Sequence, residues 1–310
     1  MRKEHRAAPA EIRQVRSAIL RWYRRHGRTL PWRSTHDPYR ILLSEIMLQQ
    51  TQVHRVLGVY PRFLAQFPTL RSLARAQQRD VVMAWRGLGY NNRAVRLHRL
   101  SVIVTREHGG RFPGDLETLL TLPGIGRYTA RAILAFAFRR PVPVVDVNIR
   151  RFLSRRFWRL QSPAATRREA EIWKIADSAL PETRAYDWNQ ALMDLGATVC
   201  TARRPACAFC PVRRGCPSAS FMRRRTAPRQ KVEPSFAGIP NRIYRGRIIE
   251  VLRSRGRGPL TIGTLGKRIF PGYSPRNRRW LASVLLSLSK DGLVRLASSG
   301  RRIPQNIRLA

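Results

Sequence analysis

Acidic side chains are scarce in this chain. Eighteen Asp and Glu stand against 60 Lys and Arg in 310 residues, a formal net charge of +42. A polyanion partner is the simplest reason for such an excess, because each phosphate that a protein neutralises releases condensed counterions. Charge alone does not separate DNA from RNA or an anionic membrane surface. Cysteine is scarcer still: four residues, all between Cys200 and Cys216. A disulfide framework spreads its cysteines, so this clustering excludes one and reads as a metal site in a reducing compartment. Also missing is any run of roughly 18 apolar residues, so no membrane span is expected. The opening MRKEHRAAPAEIRQVR lacks the apolar stretch of a secretory signal, and Glu4 and Glu11 interrupt a mitochondrial-type leader. An intracellular, cytoplasmic protein is expected. Hydrophobic residues are nevertheless 43% of the chain, enough to bury a core, and the length allows two or three domains.

The apolar pattern is helical almost throughout. Ile12, Val15, Ile19 and Trp22 recur at helical spacing until Gly27 ends the run. From Leu30 to Phe138 short amphipathic helices alternate with Pro and Gly, and TARAILAFAF is apolar nearly all round, the mark of a buried helix. Helices are expected over 146–159, 166–180 and 187–198, up to the cysteines. Residues 219–236 have linker composition, basic with two prolines. Beyond them 239–255, 262–270 and 274–290 read as helices, and GLVRLASSGRRIPQNIRLA reads as a hairpin. Three helices followed by a two-stranded wing make a small α+β, winged-helix-like module over 237–310. It carries 16 Lys and Arg against Glu250 and Asp291 alone. Either a solvated basic face or an accessory DNA contact accounts for that charge.

Three constellations carry chemistry. Cys200-x6-Cys207-x2-Cys210-x5-Cys216 packs four thiolates into a short loop, a donor set that suits either zinc or an iron–sulfur cubane. Arg203, Arg204, Arg213 and Arg214 surround it with positive charge. Leu122-Pro123-Gly124-Ile125-Gly126-Arg127 precedes the buried helix, and two glycines around one apolar residue let backbone N–H groups converge at a helix N-terminus. That is an anion nest suited to a phosphate. Finally, Glu45 in ILLSEIML and Asp146 in VPVVDVNIRR are carboxylates in apolar surroundings. Two readings stay open for them: buried acids paired with Arg, or the pair that N-glycosidic bond cleavage needs. In the second, one acid protonates a departing base and the other stabilises positive charge on the sugar.

LPWR (30–33), DPYRILLSEIMLQQTQV (37–53), WRGLGY (85–90), LPGIGRYTARAILAFAF (122–138) and WNQALMDLGATVC (188–200) together resemble the adenine DNA glycosylases of the MutY type, in the helix–hairpin–helix superfamily of endonuclease III. The resemblance covers residues 9–218. It implies an all-α, two-domain helix–hairpin–helix glycosylase fold with a [4Fe–4S] cluster on Cys200, Cys207, Cys210 and Cys216. The expected division is an N-terminal helix (1–28) packing with the cluster domain, a helical barrel with the hairpin (29–138), a cluster domain (139–218), a linker (219–236) and the C-terminal module (237–310). By the same resemblance Glu45 is the general acid and Asp146 stabilises the oxocarbenium ion. Asn148 orients the carboxylate and water, and Tyr128 lies beside the sugar. Gln50 and Tyr90 enter the base stack, Arg33 and Gln190 contact the flipped base, and Leu122, Gly124, Gly126 and Arg127 hold a DNA phosphate. Endonuclease III carries a lysine where this chain has Tyr128, and a tyrosine cannot form a Schiff base. A monofunctional enzyme of base excision repair is therefore expected, without efficient strand cleavage.

Two departures bear on substrate. Asn91-Asn92 replaces the usual Tyr-x after Gly89-Tyr90, in the segment that approaches the mismatch. Residues 237–310 are too short for the Nudix-like domain that reads 8-oxoguanine in these enzymes. Adenine opposite guanine or 8-oxoguanine is the expected target. A mismatch enzyme removing thymine from T·G or hypoxanthine, and a non-catalytic DNA-binding protein on the same scaffold, are the alternatives. The expected partner is mismatched or damaged duplex DNA, bound by a monomer at the nucleoid, with no membrane.

Overall fold

The structure, a computed structural model, describes residues 8–158, 169–221, 233–255, 258–297 and 306–310. The first residues of the helix expected over 166–180, most of the 219–236 linker and the tip of the C-terminal hairpin lie outside the described residues. What is described is mostly helical, with strands confined to short pairs near the C-terminus. It divides into two compact units, one drawn from Met1–Leu42, Gly114–Thr121 and Ile125–Gln230, the other from Leu43–Pro113, Leu122–Gly124 and Lys231–Ala310.

The first unit is built on α1 (Pro9–His26), α7 (Leu116–Thr121), α8 (Arg127–Phe136), α9 (Val147–Phe157), α10 (Glu169–Ala179) and α11 (Ala185–Thr198). Helix α1 starts with Pro9 in its first turn, carries Glu11 there and Arg24, Arg25 and His26 at the other end, and stops at Gly27. Each charge sits at the dipole end that favours it. Ile12, Val15 and Ile19 of α1 pack with Ile149, Phe152 and Leu153 of α9, Ile172 and Trp173 of α10, and Trp188 and Leu195 of α11 in one core. Helix α8 is the apolar helix of the sequence: Ala132, Ile133, Leu134, Ala135 and Phe136 are all buried.

The second unit contains α3 (Val53–Gln66), α4 (Leu70–Arg75), α5 (Gln78–Ala84) and α6 (Asn92–Glu107), with α2 (Pro38–Leu48) running into it. Thr69 and Ser72 close a reciprocal capping box at the start of α4. Trp85 is fully buried, edge-on to Phe63 at 5.8 Å between centroids, and its indole N–H donates to the Gly89 carbonyl at 3.2 Å. The C-terminal module belongs to the same unit and consists of α12 (Asn241–Ser254), α13 (Ile262–Ile269) and α14 (Arg278–Lys290), with the antiparallel pair β3 (Val294–Ala297) and β4 (Asn306–Leu309). The wing has more backbone pairing than the sequence pattern shows, since Leu260 bridges Ile307. A further two-residue hairpin, β1 (Ser235–Phe236) with β2 (Ile239–Pro240), sits at the end of the stretch read as linker. It delivers Phe236 onto Trp280, stacked at 3.9 Å between centroids, with Tyr244 and Phe270 edge-on to Phe236.

Candidate active site and cysteine cavity

Asp146 is the N-cap of α9. Its Oδ1 accepts from the Ile149 N–H at 2.7 Å, and its Oδ2 accepts from the Asn148 amide at 2.6 Å. The cap follows from sequence, since an Asp before an apolar helical run satisfies an orphan N–H of the first turn. The segment before it, 141–145, has no helical or sheet partner. Asn189 of α11 supplies one, accepting from the Val144 N–H at 3.1 Å and donating to the Val142 carbonyl at 3.0 Å. Desolvation raises the Asp146 pKa above the ordinary carboxylate range, against the lowering effect of its hydrogen bonds and of nearby Arg151.

Asn148 is held in turn. Its Oδ1 accepts from Arg151 Nη2 at 2.9 Å, and Arg151 also donates to the carbonyls of Gly196 at 2.6 Å and Cys200 at 2.8 Å. Gly196 leaves no room for a side chain, because a Cβ there would meet the Asn148 Cβ at 2.8 Å. One glycine in α11 thus allows α9 to approach closely enough for the Asp146–Asn148–Arg151 chain to reach the start of the cysteine loop.

Arg33 lies in the same unit but is committed to Asp194. That aspartate is fully buried, and the Arg33 guanidinium grips it in bidentate fashion at 2.7 and 2.9 Å while Arg28 adds a backbone and a side-chain donor. Those bonds and charges hold the Asp194 pKa below its usual range despite its burial. Gln190 is buried on α11 and bonded to Tyr186, whose hydroxyl donates to the Arg33 carbonyl at 3.0 Å. Tyr128, at the second position of α8, packs on the cluster of Ile41, Ala132, Ala135, Phe136 and Val144.

The LPGIG turn leads into α8. Leu122 is buried, Gly124 adopts a φ of 83° that a Cβ would strain, and Gly126 begins α8 with no side-chain cap on the first turn. Arg127 is exposed with its guanidinium 4.3 Å over the Trp173 ring.

In the second unit Glu45 is buried on α2. Gln50 and Tyr90 both adopt left-handed backbone conformations, with φ of 56° and 43°, and Tyr90 is 46% exposed. Each costs about 1–2 kcal/mol for a residue with a Cβ. Arg93, 5% exposed, binds the loops that carry them. It donates to the carbonyls of Ile46, Met47 and Gln49, to the Thr51 hydroxyl, and to the carbonyls of Leu88 and Gly89, over 2.5–3.2 Å. Asn91 does not cap α6; its Oδ1 accepts from Arg253 of the C-terminal module at 3.0 Å. Sequence reasoning did not single out Arg93, Arg151, Asn189 or Asp194.

Cys200, Cys207, Cys210 and Cys216 line one cavity with Phe152, Val199 and Val212, and no carboxylate or imidazole shares that lining. Arg155 and Arg156 line it too, and the Nε of each is buried without a hydrogen-bond partner, while Arg155 Nη1 lies 3.5 Å from Cys200 Sγ. Burial raises the Cys207 and Cys216 thiol pKa values and takes Cys210 to about 11. An all-sulfur donor set facing unsatisfied guanidinium N–H groups fits an anionic, thiolate-bound group. Among the described residues no group of three or more His, Cys, Asp or Glu is arranged to hold a metal ion.

Residues 43–177 match the family described as HhH-GPD superfamily base excision DNA repair protein. The chain is 38% identical to an adenine DNA glycosylase of Mycobacterium tuberculosis (strain ATCC 25618 / H37Rv), over 91% of this chain and 93% of that one. The chain belongs to the adenine DNA glycosylase family. A mouse (Mus musculus) adenine DNA glycosylase is 42% identical over 216 residues, 67% of this chain and 42% of that one. The mycobacterial match leaves too little of this chain uncovered to exclude the C-terminal module. Among solved structures, a thermostable thymine-DNA glycosylase superposes with a TM-score of 0.63 at 30% identity, covering 70% of this chain and 99% of that chain. The family's helix–hairpin–helix glycosylase fold is thus the fold of this chain, with a small strand-bearing module at its C-terminus. Among the described residues no helix is long and apolar enough to cross a membrane.

Proposed function

We propose that this protein is a monofunctional DNA glycosylase of base excision repair that removes adenine mispaired with guanine or 8-oxoguanine. The observation that carries the reading, beyond family membership, is the setting of Asp146. Its carboxylate is desolvated and bonded by the neutral donors Asn148 and Ile149, so its charge is available to a cation that forms during reaction. In this reading duplex DNA is the partner, and the target adenine leaves the stack with Gln50 and Tyr90 entering behind it. Arg33 and Gln190 contribute to the base pocket, with Arg33 fixed in place by Asp194.

Glu45 then protonates N7 of the adenine. The C1′–N9 bond breaks with its electrons leaving on the base, and the sugar becomes an oxocarbenium ion that Asp146 stabilises and Tyr128 flanks. Water oriented by Asn148 adds to C1′ and gives up a proton to the Glu45 carboxylate, leaving an abasic site and the acid restored. Leu122, Gly124, Gly126 and Arg127 hold a backbone phosphate through the turn and the first N–H groups of α8. The four cysteines would hold a [4Fe–4S] cluster, whose thiolate bonds would tie the 200–216 loop into one rigid, DNA-facing element without taking part in the chemistry at the base. The enzyme acts as a monomer on cytoplasmic, nucleoid DNA.

A panel of A·G, A·8-oxoG, T·G, U·G and I·T duplexes tests this. Adenine release without alkali-independent nicking is expected, and Glu45→Gln and Asp146→Asn should each abolish it. Near-normal rates in either variant would refute the mechanism. The likeness to a thymine-DNA glycosylase structure favours a second reading, thymine removal from T·G, which the same panel decides.

A further inference from the structure

A cavity of about 1060 Å³ lies within the second unit, and its walls come from two sources. Gln50 and Tyr90 line one side, and Arg242 and Arg247 of α12 with Arg268 from α13 line the other, Arg55 of α3 completing the rim. The one carboxylate in the lining, Glu250, is occupied by Arg86 at 3.0 Å and by Arg253. Arg242 is paired with Glu233 outside the cavity, and the Arg247 guanidinium donates to the Ile269 carbonyl. Among the described residues the guanidinium groups of Arg55 and Arg268 have no acceptor, and both side chains are exposed.

The two walls are locked together. Arg253, buried on α12, donates to the Val82 carbonyl at 2.5 Å and to Asn91 Oδ1 at 3.0 Å, next to Tyr90. Gln78 adds a bond to the Gly292 carbonyl at 2.8 Å. The departure from the family pattern at position 91 is therefore a docking contact for the C-terminal module.

We infer that this cavity is a DNA-strand site built jointly by the C-terminal module and the Gln50 and Tyr90 loops. It takes the backbone next to the point where those loops enter the duplex, with Arg55 and Arg268 on successive phosphates and the Tyr90 ring available to a base face. The inference rests on the proposed DNA-facing role of Gln50 and Tyr90. An acceptor-free pair of guanidinium groups beside an exposed aromatic ring is the chemistry of a nucleic-acid strand, in which phosphates meet cations and bases meet a π-face. The module's 16 basic residues against two acids extend the same field. Within this scheme the module supplies grip and register next to the lesion and no reacting group.

The test is the salt dependence of binding by the full-length protein. Dissociation constants for a fluorescein-labelled, fully matched duplex are measured by anisotropy between about 50 and 200 mM NaCl for wild type, Arg55→Gln/Arg268→Gln and Arg55→Lys/Arg268→Lys. At about 0.9 per phosphate contact, the Gln pair should flatten the log–log slope by about 2 and weaken binding about tenfold, and the Lys pair should restore the slope. A slope and affinity equal to wild type in the Gln pair overturns the proposal, and leaves the cavity to an acidic protein segment or to nothing. Hydrogen exchange on the wild-type protein gives a second reading that needs no variant. Amides of 262–270 should gain protection when the duplex is added, and unchanged exchange there overturns the proposal equally. Because the duplex has no mismatch, failure of the adenine assignment appears separately, as wild-type protein that leaves A·G duplexes intact.

Discussion

Replacing Arg93 by Met puts a number on what holds the Gln50 and Tyr90 loops. Two opposed quantities decide the outcome. Burial lowers the Arg93 pKa to about 10, roughly 2 to 3 units beneath a free guanidinium, and at about 1.4 kcal/mol per unit the charged side chain costs about 3–4 kcal/mol to keep there. Against this stand the five N–H donors of the guanidinium, shared among seven acceptors on the 46–51 and 88–90 segments. At about 1.5 kcal/mol for each hydrogen bond from a charged donor they contribute about 7–8 kcal/mol. The hydrogen bonds win by about 4 kcal/mol, and Met, which fills the space but donates nothing, should lose that amount in urea unfolding. Lys carries its donors on one point and cannot span both segments, so Arg93→Lys should recover less than half. The functional loss should be separate and measurable at a temperature where the variant is still folded. Without Arg93 the left-handed conformations at Gln50 and Tyr90 relax by about 1–2 kcal/mol each, and single-turnover excision from A·G should fall about 10- to 100-fold. A stability change under about 1 kcal/mol would show that desolvation cancels the hydrogen bonds. An unchanged excision rate in a destabilised variant would show that the strained loops play no part in catalysis.

Asp146 makes the pH predictions. Its folded pKa is raised, so the wild type loses stability as pH rises from the unfolded value, about 3.9, through the folded value. Asp146→Asn should therefore melt higher than wild type at neutral pH, by about 1.4 kcal/mol for each unit of elevation, and the difference should vanish below about pH 4. Wild-type excision needs the ionised form, so its acid limb should fall at a pH above the ordinary carboxylate range. Gly196→Ala introduces a Cβ 2.8 Å from the Asn148 Cβ; a loss of about 1–3 kcal/mol and a slower single-turnover rate with unchanged DNA affinity are expected. The purified protein should absorb at about 400 nm, and Cys210→Ser should lose that band and stability together. A colourless protein binding one zinc through four thiolates would replace the cubane reading.

Local patterns in the sequence were enough for the elements whose cause is local. The Gly27 stop of α1, the buried apolar face of α8 and the Asp146 cap each follow from residues within a turn or two of one another. The clustering of the cysteines in sequence is matched by a single cavity that all four line. What stayed hidden depends on pairs far apart in the chain. Arg33 and Asp194 are 161 residues apart, and Arg253 reaches Asn91 across 162. No periodicity encodes such a pair, and in a chain with 60 basic residues an arginine in the sequence says nothing about its partner. The hairpin at 235–240 was missed for the opposite reason: its two-residue strands are too short to show alternation, and an aromatic stack on Trp280 holds them.

The two recessed aspartates of the first unit show how an Arg-rich protein separates a structural acid from a reactive one. Asp194 is fully buried, and two guanidinium groups lie on it, so its charge is cancelled where it stands and its pKa is held down. Asp146 is less buried, yet desolvation raises its pKa, because the amide and the backbone N–H that touch its oxygens lower it too little to offset that effect. The nearest guanidinium, that of Arg151, is bonded to the far side of Asn148 and to two carbonyls. Its charge reaches Asp146 only as a weak background. A salt bridge at Asp146 would lower the energy of the resting enzyme and remove the reason for a sugar cation to approach. Neutral donors fix the carboxylate's position without cancelling its charge, which is what electrostatic stabilisation of a developing cation requires. The pairing expected of a buried acid in this sequence therefore does occur, at Asp194. Among the described residues no such pairing occurs at Asp146, in a chain with arginine available nearly everywhere, and that is the physical mark of the residue proposed to do the chemistry.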